Sequence, residues 1–65
     1  MNLPELARQL GITDHAAYVL AGNLVGRHGY DRVIVNASTA TITPAAEQAI
    51  RDYVAGVATA VMLAD

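Results

Sequence analysis

The sequence predicts a single, mainly α domain with one small β-hairpin. Three observations carry that reading. Leu6 and Leu10 share a helix face just before Gly11-Ile12-Thr13-Asp14, a helix stop followed by a helix start. Val33-Ile34-Val35 and Thr41-Ile42-Thr43 are β-branched runs on either side of the turn-forming Asn36-Ala37-Ser38-Thr39. Thr43-Pro44 then opens a last helical stretch that carries no charge from Tyr53 to Ala64.

Taken in order, the first helix spans Pro4 to Leu10, with proline at its first position, where its missing N–H costs nothing. Ala7 is small where a second helix must cross, Gly11 suits a left-handed exit, and Ile12 fills the gap between the two helices. Thr13 caps a second helix over Asp14 to His28, and Asp14 suits its positive end. Ala17, Leu20, Ala21, Leu24 and Val25 form the apolar face of that helix. Gly22 and Gly26 weaken it by about 1 kcal/mol each relative to alanine, so close packing against another helix is expected there. Gly29 ends it. Strands are expected over Asp31–Asn36 and Ala40–Thr43. The last helix is expected over Pro44 to Leu63, with Glu47 near its N-terminus.

Composition narrows the function classes. A chain of 65 residues forms one domain, 1–65, and buries only about 60% of its unfolded surface, so a lone monomer is marginal. The absence of cysteine excludes disulfides and thiolate metal sites. His15 and His28 are too few for a structural metal site, and no cofactor is expected. A partner subunit is the remaining remedy. Met1-Asn2-Leu3-Pro4 lacks the basic, apolar start of a signal peptide. The uncharged run Tyr53–Ala64 falls well short of the roughly 20 residues that span a bilayer. A cytoplasmic, membrane-free protein is expected. Catalysis is not: Asp14 and His15 are helical neighbours that do not face each other, and Ser38 has no base arranged beside it. Gly22, Gly26 and Gly29 follow no strand and so do not make a phosphate loop.

The order helix, turn, helix, hairpin, helix resembles the winged helix-turn-helix regulators from Leu3 to about Val54. The residues that carry the resemblance are Glu5-Leu6-Ala7 through Gly11-Ile12, then Arg32 to Asn36, then Thr41-Ile42-Thr43-Pro44-Ala45-Ala46. The last stretch is similar to the second wing strand and following helix of the MarR-like regulators. The sequence departs from the pattern at Ala17, where a branched residue is usual, and it has no counterpart of the usual preceding helix before Leu3.

The resemblance implies that the helix from Asp14 is a recognition helix lying in the major groove of DNA. Thr13, His15, Tyr18 and Val19 would then face the bases, with Asn23 and Arg27 further along. Arg8, Arg27, Arg32 and the tip residues Asn36, Ser38 and Thr39 would meet phosphates. Against this stands the charge: four arginines and six acids leave a net charge of −2. In the last helix, Ile50, Tyr53, Val54, Val57, Ala60, Val61 and Ala64 form an apolar stripe, and Gly56 and Ala60 add small residues at spacing four. Such a helix needs cover on more than one side, so residues 44–64 are expected to form a homodimer interface. The expectation is a small dimeric repressor that binds an inverted repeat of double-stranded DNA and occludes a promoter. The alternative is a protein-interaction module on the same scaffold: an inhibitor, antitoxin-like or accessory subunit. A neutral face with Val19 exposed among apolar neighbours would favour it.

Overall fold

Asn2 opens the first element. In the computed structural model, which describes residues 1–64, the Asn2 Oδ1 accepts the Glu5 N–H at 2.9 Å and caps α1, Leu3–Leu10. Leu3, Leu6 and Ala7 turn inward. Gly11 takes φ +71°, and the Ile12 N–H reaches back to the Ala7 carbonyl at 3.0 Å. That six-to-one bond is the Schellman termination a left-handed glycine permits. Thr13 then caps α2, Asp14–His28, its Oγ1 accepting the Ala16 N–H at 3.0 Å. Ala17, Ala21 and Leu24 are buried along α2, so its small residues let α1 and α2 lie close.

The hairpin is shorter than the sequence suggests. Tyr30–Arg32 forms a single 3-10 turn, and the strands are β1, Ile34–Asn36, and β2, Thr41–Ile42, paired antiparallel with an irregularity between Ile34 and Asn36. The reason is Val33, which is fully buried. A strand running from Asp31 would not deliver it into the core, whereas the tight turn after Gly29 does. Thr43 fixes the base of the hairpin. Its N–H donates to the Val33 carbonyl and its hydroxyl to the Arg32 carbonyl, both at 2.9 Å, while the same hydroxyl accepts the Ala46 N–H. β2 is also paired on its outer edge. The Leu3 N–H donates to Ala40 and the Ile42 N–H to Met1, which ties the N-terminus into the sheet.

Thr43 caps α3, Pro44–Val54, which buries Ala46, Ala49 and Ile50. Arg51 joins α3 to α1. It pairs with Glu47 one turn away at 3.0 Å and donates to Gln9 Oε1 at 2.7 Å. The core is wholly apolar among the described residues, and no polar or charged residue is buried. No helix is long and apolar enough to cross a membrane.

Two expectations need correction. The long last helix over 44–63 does not form, because α3 stops at Val54. Gly56 adopts φ +79°, the Gly56 N–H donates to Tyr53 and the Val57 N–H to Asp52 at 2.9 Å, the same Schellman termination as at Gly11. The chain then folds back as a strap, residues 57–64. Val61 and Leu63 of the strap join the core at 6% and 5% exposure. The seven-residue stripe is therefore not one helix face. Ile50 and Val61 are used within the chain's own core, Val54 and Ala60 are half-buried, and only Tyr53, Val57 and Ala64 are exposed. The second correction concerns Gly22 and Gly26. A methyl group at either would meet nothing within 4 Å, so no helix of this chain packs there.

Gly56→Ala is expected to cost about 1 kcal/mol, because alanine resists the left-handed conformation. Denaturant unfolding at matched m-value measures it. An unchanged midpoint would show that Gly56 is not held at positive φ in solution.

Candidate nucleic-acid interface

The candidate site is built on α2 because α2 is the helix least covered on its outer side. Its core face takes Ala17, Ala21 and Leu24 and leaves His15, Tyr18, Val19, Asn23 and Arg27 exposed. Thr13 is also exposed, but its hydroxyl is occupied in capping. Arg8 on α1 and Arg32 before β1 are exposed as well.

The exposed residues of α2 divide between two depressions. Toward the hairpin, Tyr18, Gly22 and Val25 line a groove of about 340 Å³ with Leu3, Tyr30 and Ile34. No charged side chain lines this groove. Toward the strap, Leu20, Asn23 and Arg27 line a cleft of about 280 Å³ with Tyr53, Thr59 and Ala60. The structure thus separates Arg27 from Tyr18 instead of bringing them to one patch. Of the four arginines, Arg51 is committed to Glu47 and Gln9.

The hairpin tip is ordered by local bonds. Asn36 Oδ1 accepts the Ser38 N–H at 2.9 Å, an Asx turn, and the Thr39 and Thr41 hydroxyls lie 2.6 Å apart. The Ser38 and Thr39 side chains are exposed, as a surface that meets phosphates requires. Asn36 is consumed in shaping the tip.

The apolar groove is the feature sequence reasoning missed. Tyr30, 50% exposed, lines it together with Tyr18. The sequence reading left Tyr30 between the second helix and the first strand, and only the tertiary structure sets it in one groove with Tyr18. Gly22 lines the groove without a side chain, and the bonds of Met1 and Leu3 tie the N-terminus to the hairpin.

Compared with protein-family models, with curated proteins and with solved structures, the chain matches none.

Proposed function

We propose that this chain is a winged-helix DNA-binding regulator that acts without catalysis, in the cytoplasm, as a homodimer on an inverted repeat. The observation that supports it is the open outer face of α2, flanked by a hairpin whose tip displays Ser38 and Thr39. In this reading α2 enters the major groove, with His15, Tyr18 and Asn23 at base edges. Arg8, Arg27, Arg32 and the hairpin tip take phosphates. Two copies pair through the exposed apolar residues at the C-terminal end, Tyr53, Val57 and Met62. Repression would follow from occlusion of a promoter.

A second reading, a protein-docking module, is favoured by one specific observation. Val19 is 49% exposed beside Tyr18, and the adjoining groove is uncharged.

Fluorescence anisotropy with DNA from upstream of the protein's own gene, against excess random competitor at two salt concentrations, separates the readings. The DNA reading expects saturable, competitor-resistant binding. Arg27→Ala should then weaken binding to all sequences and reduce the salt slope by about one. Absence of binding at the lower salt would overturn it in favour of the docking module.

A further inference from the structure

We propose that the strap over residues 57–64 is a displaceable segment latched by the imidazole of His28, and that protonation of His28 shifts it toward release. The Leu63 N–H donates to His28 Nε2 at 2.9 Å, a contact across 35 positions of sequence. An accepting Nε2 places the single ring proton on Nδ1 and requires the neutral imidazole. Protonation puts a second N–H where the Leu63 N–H already points, and the bond is lost.

The strap is poised for this. It leaves α3 at a left-handed glycine and runs out through Val57, which is 76% exposed. Two apolar anchors, Val61 and Leu63, hold it, and one of them is on the residue that donates to His28. The anchors still favour docking when the latch opens, so acid shifts the population instead of emptying it.

Among the described residues, few other charges bear on the latch. The strap carries no ionisable side chain between Val57 and Ala64. On α3, Glu47 and Arg51 pair with each other, Asp52 accepts from Gln48, and Tyr53 lies in the cleft with Arg27. α2 itself contributes Arg27 beside His28, and the 3-10 turn contributes Tyr30, Asp31 and Arg32.

Thr59 and Ala60 of the strap wall the cleft that holds Asn23 and Arg27. Release would remove that wall from beside the two residues, which are already exposed. That consequence rests on the DNA reading, but the latch does not, and its test contains no DNA.

The test is amide exchange of Leu63 in the whole chain by NMR, corrected for the intrinsic pH dependence of exchange. Between about pH 8 and about pH 5, Leu63 protection should fall about fivefold, the effect of one net hydrogen bond. His28→Ala should show low protection that does not vary with pH, and His15→Ala should behave as the parent. Equal Leu63 protection at both ends of the range, or the same fall in His28→Ala, would overturn the proposal. Should His28→Ala fail to fold, the His28 ring nitrogen shifts in the parent decide the matter. Undiminished Leu63 protection in molecules whose Nε2 is protonated would overturn the latch, and a fall in protection that tracks protonation of Nε2 would support it.

Discussion

Leu24→Ala is expected to destabilise the domain by about 2–5 kcal/mol, enough to leave much of the population unfolded at room temperature. Leu24 is fully buried on α2, the helix that packs against both α1 and α3. Shortening it removes transfer free energy and leaves a cavity that helices tied to one another cannot close. The total stability of a 65-residue chain is about 3–10 kcal/mol, so this one side chain weighs against most of it. Urea unfolding followed by circular dichroism gives the number. A loss under about 1 kcal/mol would mean that the core collapses freely around the gap and that α2 is not its central element. Leu63→Ala gives a useful contrast. Its cost cannot exceed the free energy of docking the strap, because the strap can leave.

The second large effect runs the other way. Gly22→Ala with Gly26→Ala should raise stability by about 2 kcal/mol in total, by removing backbone freedom from the unfolded chain and completing the α2 surface. For a domain this small, that corresponds to a rise in Tm of roughly 8–16 °C. The geometry supports the sign, since the added methyls meet no atom of the chain. A thermal melt decides it. No gain, or a loss, would show that something occupies the space in front of these glycines in solution, a second copy being the first suspect. A stabilised variant that no longer binds DNA would instead place the duplex there. The two glycines thus exchange helix stability for close approach on the face proposed to act.

Local signals made the first half of the molecule legible. Asp14–His28 has the bounds read from the sequence, and Thr13, Thr43 and Gly11 do what their side chains and backbone freedom suggest. Caps and glycine stops act within four residues of their own position, so adjacent sequence suffices to find them. The same kind of stop was misread at Gly56. Gly11 is followed by a fresh cap, which marks the end of a helix. Gly56 is followed by an uncharged run with small and apolar residues at helical spacing, which reads as more helix. Both glycines terminate a helix in the same way, and only the chain that follows differs.

The candidate site divides along the same line. The sequence placed His15, Tyr18, Val19, Asn23 and Arg27 on the outer side of α2, and they are exposed. Periodicity within one helix was enough for that. The same periodicity puts Tyr18 and Arg27, nine residues apart, on opposite sides of the helix; what it could not give is that the hairpin and the strap wall those two sides.

By itself, then, the sequence determined the starts of α2 and α3, the start of α1 to within one residue, the turn at Gly11, the place of the hairpin and the outward face of α2. These follow from hydrogen bonds and side-chain spacing over a few residues. Tertiary structure decided the rest. It drew Val33 inward and shortened the hairpin, bound Met1–Leu3 to β2, and ended α3 at Val54 so that Val61 and Leu63 could enter the core. In each case an apolar side chain or an unpaired backbone group found its partner far along the chain. Burial outweighed the local preference for strand or helix, and no pattern of neighbouring residues records which distant surface will be there to receive it.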